Sequence, residues 1–346
     1  MDHVALGRSD LRVSRVGLGT MTFGKQTDEA VAQAQLACAV DHGVNLIDTG
    51  EMYPVPAPDP QTQGLTETFI GNWLRASGRR ADVVLATKVV GDAPYTKHIR
   101  DGQNSLDRTS VRAALEGSLR RLQTDYVDLY QVHWPARTTN ALMQLGYRHD
   151  PTEHAVSIAE TLEALSELVV EGKARAIGVS NETAWGLWQY LRLAEHSDLA
   201  RIASVQNAYS LLNRSFEVAL GEFSHRDGVG LIAYQLLGMG MLTGKYAGGL
   251  MPSAARLTLH PHPRYTSPAA VRASQAYVAL AYAHGVDPAG MAIGFVTSRP
   301  FVTSALLAAT TVSQLEHNLA HWDTQLSDEL IGGIEAIHAD ISNPSP

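Results

Sequence analysis

The 346-residue chain lacks several features that would indicate particular classes of protein. Its single cysteine, Cys38, cannot form a disulfide within the chain, which is typical of a reducing compartment. Lysine and arginine form no run and the formal net charge is -8, so neither nucleic acid nor an anionic membrane is an expected partner. No apolar run reaches the roughly 18 residues of a membrane span, and the first residues do not resemble a signal peptide. These absences predict a cytoplasmic protein.

What the chain does contain is an alternation of short apolar segments with amphipathic ones. Eight apolar segments have the character of buried strands, and they cover residues 15–20, 45–50, 82–89, 126–134, 175–181, 202–210, 229–237 and 302–310. Helical patterns follow them at 28–42, 66–76, 109–122, 157–171, 184–195, 215–226, 268–284 and 312–320. Continuous apolar strands between helices are typical of a parallel sheet covered on both faces.

Eight such units predict an α/β fold, a (β/α)₈ TIM barrel, with an open doubly wound sheet as the alternative. We expect one domain over residues 1–346, with an N-terminal β-hairpin at 4–16 and a final helix with a loose tail at 327–346. Three long segments, 54–64, 135–155 and 238–267, follow strand ends. They should therefore lie on the C-terminal face of the barrel, where barrel active sites are built.

Four polar side chains interrupt the ends of three successive predicted strands. In "NLIDTGEMY", Asp48 is near the strand end and Tyr53 starts the loop after it, while Lys88 lies in "VVLATKVV" and His133 ends "DLYQVH". An ammonium group favours phenolate, so Lys88 is expected to lower the pKa of Tyr53, while Asp48 offsets the buried charge of the lysine. His133 could orient a substrate oxygen. The quartet predicts a general acid that protonates a carbonyl oxygen as its carbon receives a hydride.

A hydride must come from a cofactor, because no side chain supplies one. No G-x-G-x-x-G motif opens a strand–helix unit, so other strand ends are the candidates for binding it. Ser180, Asn181 and Gln206 could hold a carboxamide, and Tyr234 could stack on a flat ring. The glycine-rich "LGMGMLTGKY" offers Thr243 and Lys245 for a pyrophosphate, and a helix begins after the eighth strand at a usual barrel phosphate site.

The ordered motifs resemble those of the aldo-keto reductase superfamily from about residue 4 to about residue 340. The matching motifs are "GLGTMTFG", "NLIDTGEMY", "LATKV", "LQTDYVDLYQVHWP", "AIGVSN", "VQNAYSLLNR", "LTGKY" and "ATTVSQLEHNL". Three further segments, "EMYPVP", "TQGLTETFIGNWL" and "NETAWG", look most like bacterial Tas-type members. The resemblance implies that Tyr53 is the proton donor, that Lys88 and Asp48 tune it, and that His133 orients the carbonyl.

The resemblance also implies an NADP(H) site. Near the nicotinamide ribose it would contain Thr20, Met21 and Asp48, and at the nicotinamide Ser180, Asn181, Gln206 and Tyr234. At the pyrophosphate it would contain Leu237, Gly238, Thr243, Gly244 and Lys245, and at the adenosine Ala308, Thr310, Gln314 and Asn318. Gln235 is a further residue expected to bind the cofactor. Positions 308, 310 and 314 carry no lysine or arginine, the residues that usually bind a 2′-phosphate, so NADH remains an alternative.

We therefore expect an NADP(H)-dependent reductase of aldehydes or ketones, whose partner is a small carbonyl substrate. A nucleotide-binding regulatory subunit or redox sensor with little turnover is the first alternative, because the same barrel and quartet occur in potassium-channel β subunits. A metal-dependent hydrolase is the second, supported only by His260 and His262 in "HPHP". We predict no metal site, and the sequence leaves open whether the chain forms a homo-oligomer.

Overall fold

A computed structural model describes residues 1–55, 59–140 and 143–346 of the chain. Eight parallel strands close into a barrel in the order β10-β3-β4-β5-β6-β7-β8-β9. Their bounds are β3 Val16–Gly19, β4 Leu46–Asp48, β5 Val84–Val89, β6 Val127–Val132, β7 Ala174–Ser180, β8 Ile202–Ala208, β9 Gly230–Tyr234 and β10 Val302–Leu307. Each corresponds to one predicted strand. The (β/α)₈ prediction is confirmed, and the open sheet is excluded because β10 pairs with β3.

Helices surround this barrel, and two short ones lie in the long segment after β9. They are α1 Glu29–Asp41, α2 Leu65–Ser77, α3 Arg108–Leu122, α4 Ile158–Val170, α5 Ala184–Ser197, α6 Leu220–Arg226, α7 Arg256–Leu259, α8 Pro263–Thr266, α9 Pro268–Ala283, α10 Pro288–Thr297, α11 Val312–Leu319 and α12 Asp328–Asp340. Short 3₁₀ helices occupy Arg80–Asp82, Pro94–Thr96, Ile99–Gly102, Ser215–Val218, Gly238–Thr243 and Ala247–Gly249. No helix within the described ranges is both long and apolar enough to cross a bilayer.

The predicted N-terminal hairpin is confirmed, and it closes one end of the barrel. Strands β1 (His3–Ala5) and β2 (Arg12–Ser14) pair antiparallel. Leu6, Leu11 and Val13 are buried against side chains from the barrel interior. Gly7 has φ +57°, and a Cβ there would lie 2.2 Å from the carbonyl oxygen of Ala203, near the start of β8. The hairpin therefore seals the N-terminal end, which leaves the opposite end for a ligand.

The prediction of a loose C-terminal tail is wrong, because the last residues of the chain are held in place. Ser345 is fully buried, and its N–H donates to the carbonyl oxygen of Leu212 at 3.0 Å. Arg264, within the long segment 238–267, donates from Nε to the carbonyl oxygen of Ser345 at 3.1 Å. The tail therefore ties this segment to the body of the barrel. Of the other two long segments, positions 56–58 and 141–142 lie outside the described residues.

Candidate active site

Strand register brings the predicted polar residues to the C-terminal end of the barrel. Asp48 is the last residue of β4, and His133 follows β6 directly. Lys88 on β5 lies beside Gln131 on β6, and Ser180 on β7 lies beside Gln206 on β8. Because parallel strands end at the same rim, residues far apart in sequence become neighbours there.

Lys88 and Asp48 form a buried ion pair at the centre of this rim. The Lys88 Nζ lies 2.5 Å from Asp48 Oδ2 and also donates to the carbonyl oxygen of Thr49 at 2.7 Å. The other carboxylate oxygen, Oδ1, accepts hydrogen bonds from Gln206 Nε2 at 2.8 Å and Gln131 Nε2 at 3.2 Å. Burial by itself lowers the pKa of Lys88, but Asp48 and Tyr53 together raise it above the ordinary value. Lys88 is therefore a charged ammonium with a fixed counter-ion.

The Tyr53 hydroxyl faces His133 and lies close to the ion pair. Its oxygen is 3.4 Å from His133 Nε2, and the two rings meet edge-on with centroids 5.5 Å apart. The Lys88 Nζ is 5.1 Å from the centre of the Tyr53 ring. Burial raises the pKa of Tyr53 above its ordinary value, and Lys88 opposes this rise without overcoming it. Lys88 thus lowers the pKa of Tyr53 as expected, but desolvation exceeds the attraction of the ammonium, so the net shift is upward.

His133 is neutral in this environment. Burial, reinforced by the positive charge of Lys88, holds its pKa well below the ordinary value. Within the described part of the chain, its buried Nδ1 has no hydrogen-bond partner. A neutral imidazole beside a protonated phenol can take part in hydrogen bonding to a polar ligand atom without adding a second positive charge.

Three members of the quartet, Asp48, Tyr53 and His133, line a cavity of about 580 Å³, a volume within the range of small-molecule and cofactor sites. Most residues predicted to bind a cofactor line it: Thr20, Met21, Asp48, Ser180, Asn181, Gln206, Tyr234, Gln235, Leu237, Thr243, Lys245, Ala308, Thr310, Gln314 and Asn318. Gly238 and Gly244 do not. Both have positive φ, and a Cβ on either would meet a neighbouring side chain, Leu212 or Tyr282 respectively. These glycines therefore shape the loop and its packing.

The amide-bearing residues are already connected to one another and to the quartet. Asn181 Nδ2 donates to the carbonyl oxygen of His133 at 2.9 Å, and the Tyr234 hydroxyl donates to Asn181 Oδ1 at 2.5 Å. The Ser180 hydroxyl donates to the carbonyl oxygen of Gln206 at 2.8 Å. These bonds restrict the side chains before any ligand arrives, so the cluster is preorganised.

Sequence reasoning missed three polar residues of the site. Gln131 supports Asp48 from the middle of an apolar strand, while Arg256 and Arg264 enter the cavity from the long segment after β9. Burial lowers the pKa of Arg256, and none of the described residues accepts a hydrogen bond from its buried Nε or offers it a carboxylate. No sequence signal marked these arginines, since each lies in a segment without periodicity.

Apolar and aromatic side chains line the cavity close to Tyr53. Met52, Val55, Tyr95 and Trp134 line it there, and Trp134 packs against His133 with ring centroids 4.8 Å apart. The reacting groups thus lie between a polar cluster on one side and an apolar wall on the other. This arrangement can hold an uncharged organic group while a proton is delivered to its polar atom.

A closed (β/α)₈ barrel with this polar rim defines a class of oxidoreductase. The model of the Aldo/keto reductase family matches residues 15–339, so the chain belongs to that family. The family predicted from the motifs is thereby confirmed, and its members typically use nicotinamide cofactors.

Several relatives resemble the chain along nearly all of its length. It is 52% identical to protein tas of Escherichia coli (strain K12) over 348 residues, covering 100% of both chains. It is 32% identical to uncharacterized oxidoreductase YrpG of Bacillus subtilis, covering 96% of this chain and 94% of the relative. It is also 32% identical to a probable voltage-gated potassium channel subunit beta of rice, covering 97% and 96%.

Proposed function

We propose that the protein is an NADP(H)-dependent reductase that converts small aldehydes or ketones to alcohols. The observation that carries this proposal is the protonated Tyr53 phenol beside the buried Lys88–Asp48 pair, at the wall of a cavity of about 580 Å³. A phenol with a raised pKa keeps its proton at neutral pH until an acceptor gains negative charge. That behaviour suits a proton donor.

When bound, the nicotinamide cofactor supplies the hydride. The chain's own residues then control the proton. Tyr53 transfers the proton from its hydroxyl oxygen to the carbonyl oxygen, which leaves a phenolate on the tyrosine. The ammonium of Lys88 stabilises that phenolate, while Asp48 keeps the lysine fixed in place. Neutral His133 orients the carbonyl oxygen by hydrogen bonding, and it does so without competing as an acid.

The residues that line the cavity fit a dinucleotide. The connected Ser180, Asn181 and Gln206 cluster suits a carboxamide, and Tyr234 lies beside it for stacking. Lys245 and Arg256 line the cavity as cations, and burial lowers the pKa of each. Phosphate groups would supply the counter-charge that Arg256 lacks among the described residues. Positions 308, 310 and 314 carry no cation, so Lys245 and Arg256 are the residues that support binding of a phosphate-rich nucleotide. NADH is the alternative to NADPH as that nucleotide.

The proposal is tested by replacing Tyr53 with phenylalanine and measuring nucleotide binding and turnover separately. Titration of NADPH and NADH by tryptophan fluorescence gives the affinities, and a panel of small aldehydes gives kcat. We expect kcat to fall about 100-fold or more, as for loss of a general acid, with the NADPH Kd nearly unchanged. Tyr95→Phe is the matched control, because Tyr95 also lines the cavity but lies outside the quartet. Full turnover in Tyr53→Phe would refute the mechanism.

A regulatory role is the second candidate function, and the similarity to the rice protein supports it. Its name describes a channel subunit, and the relation covers almost the whole chain. Tight nucleotide binding with no turnover of any aldehyde in the wild-type protein would support this role. Turnover at ordinary enzyme rates, of about 1 s⁻¹ or more, would rule it out.

A further inference from the structure

Two histidines and an aspartate converge where α10 meets α11, beyond the catalytic quartet. One ligand atom from each of Asp287, His317 and His321 lies within 4.8 Å of the other two. His317 is in the last turn of α11, and His321 follows four residues later. That spacing puts both imidazoles on one side of the helix end, with ring centroids 4.6 Å apart.

Other contacts hold two of these side chains in place for a further ligand. Asp287 caps α10, since its Oδ1 accepts the N–H of Gly290 at 2.7 Å. His321 Nδ1 lies 2.8 Å from the carbonyl oxygen of His317, and a carbonyl can only accept. Nδ1 therefore carries the proton, which leaves the lone pair of Nε2 free. Metal-binding histidines usually have this arrangement, with the second nitrogen donating to a carbonyl or carboxylate.

Gly290 leaves room for the His321 ring. A Cβ at position 290 would lie 2.7 Å from Cδ2 of His321, so any side chain there would displace the imidazole. The ring thus packs directly against the first turn of the helix that Asp287 caps. This contact keeps the third ligand close to the other two.

One of the three ligand separations matches a tetrahedral metal centre, and the other two are at most 4.8 Å. Bonds of about 2.0–2.1 Å place neighbouring ligand atoms of a tetrahedron roughly 3.3 Å apart. His317 Nε2 and Asp287 Oδ1 are 3.4 Å apart, so these two already have the required spacing. We propose that Asp287, His317 and His321 form a binding site for one divalent cation of the zinc class.

Two imidazoles and one carboxylate are ligands typical of zinc and its neighbours, rather than of calcium or magnesium. Three protein ligands leave a fourth position for water or another ligand. Asp287 and His317 also line the large cavity, so the ion would stand at its wall, near Gln314 and Asn318. This site was not predicted from the sequence, and it includes neither His260 nor His262 of "HPHP".

The test is calorimetric titration of zinc into the EDTA-treated, nucleotide-free protein. We expect one site per chain with a Kd in the micromolar range or tighter, weakened at least tenfold by each of Asp287→Asn, His317→Gln and His321→Gln. Asparagine retains the helix cap while it removes the charge. The control is His196→Gln, because His196 makes the same Nδ1 contact to a carbonyl oxygen four residues earlier, on α5.

Thermal unfolding with and without zinc supplies a second readout. At a zinc concentration close to the wild-type Kd, binding to the folded state should raise the midpoint of the wild type and of His196→Gln, and raise those of the three ligand variants much less. Equal midpoints without zinc would establish that the variants fold normally. Absence of micromolar zinc binding, or the same loss of affinity in His196→Gln as in the ligand variants, would overturn the proposal.

Discussion

Replacing Lys88 with methionine should destabilise the protein strongly, because it leaves a buried carboxylate without its counter-ion. The side chains of Lys88 and Asp48 are 0% and 4% exposed, so water cannot replace the lost ammonium. Asp48 Oδ1 would keep its two amide donors from Gln131 and Gln206, while Oδ2 and the Thr49 carbonyl would lose their partner. Breaking a buried pair from one side costs about 3–5 kcal/mol.

The chain offers a matched control in a second lysine–aspartate pair. Lys97 and Asp92 lie 3.3 Å apart, but their side chains are 65% and 59% exposed. Exposed pairs contribute about 0.2–1 kcal/mol, so Lys97→Met should change the free energy of unfolding very little. The two variants make the same chemical change, and they differ only in burial and local contacts. Urea denaturation followed by circular dichroism measures both free energies.

A double variant separates the charge from the packing. Adding Asp48→Asn to Lys88→Met removes the orphaned carboxylate, and we expect it to recover at least about 1 kcal/mol of the loss. Equal free energies for Lys88→Met and Lys97→Met would refute the argument from burial. A double variant that is less stable than Lys88→Met would show that shape, rather than charge, dominates at this position.

Two further predictions concern unusual charges in the cavity. Arg256→Met should weaken NADPH binding roughly 10- to 100-fold, since a hydrogen bond to a charged group is worth about 1.5–3 kcal/mol. The substitution should not lower the melting temperature of the nucleotide-free protein, because the cation that it removes has no counter-ion. A lower melting temperature together with an unchanged NADPH affinity would contradict this prediction. The pKa of His133 is lower in the folded protein than in the unfolded chain. The contribution of His133 to the free energy of unfolding is therefore largest above about pH 6.5 and declines as the pH falls further. From pH 7.5 to 5.5, His133→Gln should therefore lose less stability than the wild type, and parallel pH curves would contradict that.

The barrel and the quartet could be predicted because each leaves a local signal that topology then combines. Asp48, Lys88 and His133 stand out as polar residues at the ends of apolar strands. Once the strands are assigned to a parallel barrel, their C-terminal ends must share a rim, so sequence distance ceases to matter. Gln131 escaped notice because an uncharged side chain inside an apolar strand is a weaker anomaly. Its partner becomes evident only from the register of β5 and β6.

Helix α10 was missed for a different reason. All ten residues of Pro288–Thr297 are buried, so the segment has no polar face and no helical periodicity to detect. A short, wholly apolar segment suits a buried strand as well as a buried helix. Asp287 therefore could not be recognised as a helix cap, and its place beside His317, thirty residues later, could not be anticipated. The two histidines in "HNLAH" were visible, but two ligands alone do not indicate a metal site.

Lys88 and Arg256 are two cations that differ in how deeply they are buried and in whether a carboxylate pairs with them. Lys88 is fully buried with its counter-ion beside it, and the nearby group that its charge faces is the Tyr53 phenol. Arg256 is partly buried at the cavity wall, and no described carboxylate balances it. Such a cation costs free energy in the empty protein, and an anionic ligand would offset that cost on binding. An unbalanced charge facing a cavity is thus a stronger indication of a ligand's charge than any single motif in this sequence.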